Sequence, residues 1–215
     1  MSDTALSRGE LVVRTIAQTA VDNETYFCEL DAVVGDGDFG YSLARGFEIV
    51  VSDWEAMEYA DIGGLLKKTA ITLTKRIGGT SGPIWGTAFL RAGGALTDKP
   101  QPTSEEVIAA FRAAIEGIKQ RGNTDLGDKT LLDALVPAVD VLEAELPNGA
   151  AQAIEKAAVQ ARESAEATKG MLAQRGRASY TGERSRDSVD AGAIGVAVMF
   201  AAVSKAWQEA ELELA

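Results

Sequence analysis

The sequence predicts an all-α protein, an eight-helix antiparallel bundle or barrel. Two observations carry that expectation. Alternating β-branched runs are scarce, while Ala, Leu, Glu and Lys fill long stretches. Where apolar residues recur they do so at spacings of three and four, the period of a helix face rather than a strand.

In chain order, helices are expected near residues 8–22, 40–54, 61–76 and 81–97, with residues 23–40 read as a connection rich in Asp and Gly. Thr103 and Glu106 then form a capping-box pattern ahead of Val107, Ile108, Phe111, Ile115 and Ile118, and that helix should stop near Gly122. Asp128 stands where it could cap a helix carrying Leu131, Leu132, Leu135, Val136, Val139 and Leu142, which ends before Pro147. Gly149 opens an Ala-rich helix to about Gly170. A polar segment with four arginines, residues 171–189, precedes a last helix near 190–213. Structureless segments of that length in a compact domain are usually functional or mobile. No internal repeat or linker divides the chain, so residues 1–215 are expected to form one domain.

Composition removes several kinds of function. A chain of 215 residues with 46% hydrophobic content can bury a sizeable core unaided. The formal charge of −11 argues against a partner gripped through its nucleic-acid backbone. There is no histidine, which excludes Ser-His-Asp and Cys-His triads, imidazole metal sites and histidine general bases within this chain. The lone Cys28 cannot form an internal disulfide, which agrees with a reducing cytoplasm, and it reads first as a small hydrophobe. With no charged start before an apolar run and no stretch approaching roughly 20 apolar residues, neither secretion nor membrane insertion is expected.

Four motifs carry chemistry. Asp31, Asp36 and Asp38 crowd like charges that need a cation or raised pKa values, and oxygen ligands of this kind suit Mg²⁺ or Ca²⁺. An EF-hand register fails, because Tyr41 falls on the turn glycine and Phe47 on the bidentate glutamate. A plain Asp-Gly turn remains the alternative. Gly40, Tyr41 and Ser42 open a helix just beyond, and a helix N-terminus beside a magnesium site describes a polyphosphate pocket. The second motif, Gly78-Gly79-Thr80-Ser81-Gly82-Pro83, offers another helix N-terminus with Ser81 as its cap, though it lacks Walker A spacing. The third, Gly127-Asp128-Lys129-Thr130, taken by itself reads first as a capped helix start with an exposed lysine. The fourth, residues 176–185 (GRASYTGERS), is a glycine-hinged cationic loop that could close over a nucleotide or simply be solvated. Together they supply the parts of a phosphoryl-transfer site.

GDGDFG, IGGTSGPIWG, GDKTLLDAL, GRASYTGERS and VDAGA, in this order, resemble the nucleotide-binding L subunit of dihydroxyacetone kinase, from about residue 8 to the C-terminus. The resemblance implies an eight-helix barrel with ATP or ADP at one end beneath an Arg/Gly-rich lid. It implies two Mg²⁺ ions held by Asp31, Asp36 and Asp38. It further implies phosphate contacts from Phe39, Gly40, Tyr41, Ser42, Gly79, Thr80 and Ser81, and base or ribose contacts near Gly122, Thr130 and Leu131. Arg177 matches a lid arginine that touches nucleotide, and Asp190, Ala191 and Gly192 match a closing segment. Family members often carry His where Phe39 stands, Asn at Ser42 and Pro at Ala191. Phenylalanine cannot donate a hydrogen bond, so only its amide is available to phosphate.

The implied activity is transfer of the γ-phosphoryl group to dihydroxyacetone, or a related ketose such as erythrulose. The ketose would be held by a separate K subunit through a covalent histidine. Either ATP exchanges, or ADP stays bound and is rephosphorylated by a phosphotransferase-system protein. A homodimer is compatible with the family, and a non-catalytic nucleotide-sensing partner is the competing function.

Overall fold

The computed structural model describes residues 4–213 and shows no strand among them. Nine α-helices run α1 Thr4–Asp22, α2 Glu24–Ala32, α3 Phe39–Ser52, α4 Ile62–Arg76, α5 Ser81–Ala95, α6 Ser104–Gly122, α7 Leu132–Glu145, α8 Ala150–Ala167 and α9 Ala191–Leu212, among the described residues. Each helix from α2 on packs on the next in chain order, α1 passes over α2 to pack on α3, and α9 returns to α1. Packed helices joined by short links alternate in direction. The links 23–38, 77–80, 123–131 and 168–190 therefore fall at one end of the molecule, and 53–61, 96–103 and 146–149 at the other. That alternation alone gathers all four sequence motifs at one end.

The expected stripes bury as the spacing predicts. Phe47 lies at the centre, its ring edge-on to Trp85 and Phe89 at 6.4 and 6.1 Å, with Val13, Leu43, Leu65, Leu73 and Ile194 around it. Ile115, Ile118, Leu132 and Val139 make a smaller cluster between α6 and α7. The capping box of α6 is formed: Glu106 N–H donates to Thr103 Oγ1 at 3.3 Å, and Thr103 N–H to Glu106 Oε2 at 2.9 Å. The helix stops at Gly122, with Asn123 left-handed at φ 46°.

Three expectations are corrected. Residues 23–40 are not one connection, because α2 occupies Glu24–Ala32; Phe27 is its one fully buried side chain, too little to show a stripe. Asp128 does not cap α7, which starts at Leu132 after a Leu131 that caps nothing. Finally, against the expectation of none, one stretch does approach the length and composition of a membrane span, α9. Its Ile194, Val196, Ala197 and Met199 are buried in the core of this fold.

Candidate nucleotide and metal site

Asp31 sits in the last turn of α2, and the chain folds back on it: Gly35 N–H donates to the Asp31 carbonyl at 2.6 Å. A Cβ on Gly35 would stand 2.2 Å from Asp31 Oδ1, so the turn closes onto the carboxylate because it carries no side chain there. Carboxylate oxygens of Asp31, Asp36 and Asp38 consequently lie within 4.8 Å of one another. Burial, and next the charge of Asp31, push the Asp38 carboxyl above its ordinary range. The guanidinium of Arg177 pairs with Asp36 and, at 3.2 Å, with Asp38.

The first turn of α3 follows directly. Gly40 is buried where α3 meets α2, and a Cβ there would stand 2.0 Å from the Glu24 carbonyl oxygen. Two of the amides expected to be free are already used: Tyr41 N–H donates to Cys28 Sγ at 3.2 Å, and Ser42 N–H to the Asp38 carbonyl at 2.8 Å. The Phe39 ring turns inward, 5.9 Å from Phe27 and against Gly195 of α9. On the other side, the cap of α5 is Thr80 rather than Ser81, and its hydroxyl makes no capping bond. Gly79 is left-handed at φ 61°, and Gly122 packs against Ile84 in the first turns of α5.

A second group forms around the 123–131 link. Asp133, 3% exposed and in the first turn of α7, accepts Gly127 N–H at 2.5 Å and Thr130 N–H at 2.7 Å, so it ties the preceding link to the helix, and no side chain makes the N-cap bond expected of Asp128. Asp128 instead accepts Asp125 N–H at 3.0 Å and Arg175 Nε at 3.1 Å. Lys129 is not exposed but 2% accessible, and it donates to the carbonyls of Met171 at 3.2 Å, Ser188 at 2.7 Å and Ser185. Burial pulls its ammonium below the ordinary lysine range, against the opposing charge of Asp190. Leu131 meets the start of α9, where a Cβ on Gly192 would lie 3.4 Å from its own Cβ. Asp190 caps α9 by accepting Ala193 N–H at 2.7 Å. Burial pushes its carboxyl up to about 7, with Asp133 and Asp31 adding and the Ala193 bond and Lys129 opposing.

The segment expected to lack structure holds 3-10 turns over Arg177–Ser185, broken at Gly182 with φ 58°. Thus the structure gathers Asp31, Asp36 and Asp38, pairs Arg177 with the last two, places Phe39 to Ser42 beside them, and packs Leu131, next to Thr130, against Gly192 of the Asp190–Gly192 segment. Gly79 and Thr80 of the 77–80 link, Ser81 at the start of α5 and Gly122 at the end of α6 lie at the same end, linked through the Gly122–Ile84 contact. Lys129 and Asp133 escaped sequence reasoning as buried anchors; the signal available was a carboxylate three residues after Thr130, the spacing of a first-turn amide acceptor. The aspartate triplet fits a hard divalent cation: its donors are all carboxylate oxygens, and it already attracts a guanidinium.

A family model described as the DAK2 domain matches residues 33–205. The ADP-binding subunit DhaL of the PEP-dependent dihydroxyacetone kinase of Escherichia coli is 40% identical over 186 residues, covering 86% of this chain and 89% of that one. L-erythrulose 1-kinase of Mycolicibacterium smegmatis is 35% identical over 90% of this chain, but the match spans 34% of that longer protein. Among solved structures, the dihydroxyacetone kinase of C. freundii in complex with AMP-PNP and Mg²⁺ superposes with a TM-score of 0.73 at 28% identity, over 90% of this chain and 33% of that one. By that family match and those relatives, the chain belongs to the DAK2-domain family.

Proposed function

We propose that this chain is the nucleotide-binding subunit of a dihydroxyacetone kinase and supplies the γ-phosphoryl group of Mg-bound ATP to a ketose held by a separate K-type subunit. The observation that carries the reading is the convergence of Asp31, Asp36, Asp38 and Arg177 at the end where four helix links meet. Asp31, Asp36 and Asp38 would hold two Mg²⁺ ions, whose charge offsets that of the phosphates. Those first-turn amides of α3, α5 and α9 that are not already bonded, as Tyr41, Ser42 and Ala193 N–H are, would face anions favourably. Thr80, Ser81 and Ser42 add hydroxyl donors, and Gly122, Thr130 and Leu131 border the base and ribose. Arg177, on a glycine-hinged lid, has the forked donors that fit a phosphoryl group and would stabilise the charge that develops during transfer. Lacking histidine, the chain supplies no imidazole base, and the ketose hydroxyl is oriented by the partner.

The Escherichia coli, Listeria innocua and Lactococcus lactis relatives are ADP-binding subunits of PEP- or PTS-dependent dihydroxyacetone kinases, which favours ADP as a resident cofactor rephosphorylated by a phosphotransferase-system protein. The test is to measure ADP release from the purified chain, then turnover with a K subunit and either ATP or the phosphotransferase donor. Slow release with donor-dependent turnover is expected. Absence of Mg-dependent ADP binding would overturn the assignment, and full turnover on ATP alone would replace the resident cofactor by an exchanging one.

A further inference from the structure

Lys129 has no assigned part in the site described above, yet its ammonium is among the few buried charges of the fold. A lysine ammonium has three protons to donate, and here the acceptors are the carbonyls of Met171, Ser185 and Ser188. Met171 precedes the Arg177–Ser185 turns, Ser185 closes them and Ser188 follows, so one ammonium ties the outgoing and returning arms of the segment together. Neighbouring bonds close the same base. Ala173 N–H donates to the buried Ser185 Oγ at 3.0 Å, Gln174 N–H to the Asp128 carbonyl at 3.0 Å, and Asp187 N–H to the Lys169 carbonyl at 3.0 Å.

The backbone of Lys129 is left-handed at φ 62°, a conformation that costs a non-glycine residue about 1 kcal/mol or more. Surrounding structure must impose it, and Asp133 does so by holding the amides of Gly127 and Thr130 on either side. The twist sends the Lys129 side chain into the base of the segment, while Leu131 of the same link packs under the start of α9 at Gly192.

We infer that Lys129 is the positioning residue that fixes the base of the lid and so holds Arg177 over the nucleotide phosphates, coupling the 127–131 link to the lid. The inference rests on the proposed role of Arg177 at the nucleotide. Lys129 touches no reacting atom; it acts through the lid. Lys129→Met keeps the length and apolar stem of the side chain and removes the three donors.

The test is a double-mutant cycle on the full chain, read as the dissociation rate of a fluorescent ADP analogue in excess Mg²⁺. Arg177→Ala and Lys129→Met should each speed release about tenfold, and the double variant should be little faster than either single one, a coupling of about 1.4 kcal/mol. A merely structural lysine would give independent effects that multiply to about a hundredfold, and that result overturns the inference alone. If Arg177→Ala leaves release unchanged, the lid reading itself falls, and the inference with it. Should Lys129→Met not fold, amide exchange in the unaltered, nucleotide-free chain decides: Ala173, Gln174 and Asp187 should be protected together, and exchange at free-peptide rates there would refute the clamp.

Discussion

Replacing Gly40 by alanine adds one methyl group at the tightest point between α2 and α3. Its carbon would stand 2.0 Å from the Glu24 carbonyl oxygen and 2.7 Å from the Cys28 amide nitrogen, both backbone atoms that no rotamer change can move aside. Reaching the 3.4 Å at which ordinary van der Waals contact begins requires the helices to separate by roughly 1.4 Å. Overpacking of this kind costs about 1–3 kcal/mol, which in a chain of this size lowers the melting temperature by roughly 2–12 °C. The displaced helix carries Asp31 away from Asp36 and Asp38, and misplacements of ~1 Å at a reacting site cost on the order of a hundredfold. Alanine keeps the amide N–H of residue 40, so lost affinity would trace to the shift and not to a missing donor. Circular dichroism melts and calorimetric titration with Mg-ADP measure both effects. An unchanged melting temperature together with full Mg-ADP affinity would falsify the claim that α2–α3 packing sets the carboxylate cluster.

Asp36→Asn and Asp38→Asn should each abolish Mg-dependent ADP binding while leaving the helical circular dichroism signal intact, and retained binding in both would remove the metal assignment. Asp190 holds its proton more tightly folded, at about 7, than its ordinary 3.8. The stability it contributes is therefore complete below pH 3.8 and lost as pH rises through about 7. Asp190→Asn keeps an acceptor for Ala193 N–H but cannot titrate, so its urea-unfolding free energy should fall less over that window than the parent's; parallel curves would contradict the shift. Thr103→Ala deletes the α6 cap and should cost about 1 kcal/mol without changing Mg-ADP affinity, because the 96–103 link lies at the opposite end. A changed affinity would count against that topology.

Helices with a long apolar stripe were legible in the sequence, as α6 and α7 show, because burial of one face is written directly in the spacing of Ile108, Ile115 and Ile118. Short α2 was not: its lone buried Phe27 and its Tyr, Phe and Cys give neither period nor propensity, and its place is set by backbone contact with Gly40. The aspartate triplet was legible as a cluster, since like charges so near one another demand compensation. What compensates it in the fold, an arginine more than a hundred residues away, follows only from the alternation of helices that brings the 168–190 link to the same end. Lys129 was misread because exposure is the ordinary state of a lysine; its burial depends on three carbonyls that exist only once the segment beyond α8 has folded back.

The pairing of Arg177 with Asp36 and Asp38 sets two demands of opposite sign on one side chain. At the carboxylates the guanidinium neutralises charge that a divalent cation would also neutralise, so for the metal alone it is a competitor. At a nucleotide it is a ligand, because its forked donors match phosphate oxygens. Both side chains of each pair are about half exposed, at 46% to 51%, and such ion pairs contribute about 0–1 kcal/mol after solvent screening. Arg177→Ala should therefore tighten binding of Mg²⁺ alone to the nucleotide-stripped chain by up to about fivefold. The same variant should weaken Mg-ADP binding about tenfold through the lost charge-assisted contacts. Parallel titrations with MgCl₂ and with Mg-ADP separate the two, and raised salt should shrink the first effect more than the second, since exposed pairs are screened first. If both affinities fall together, Arg177 does not compete for the carboxylates, and its contact with Asp36 and Asp38 only supports the loop that carries them.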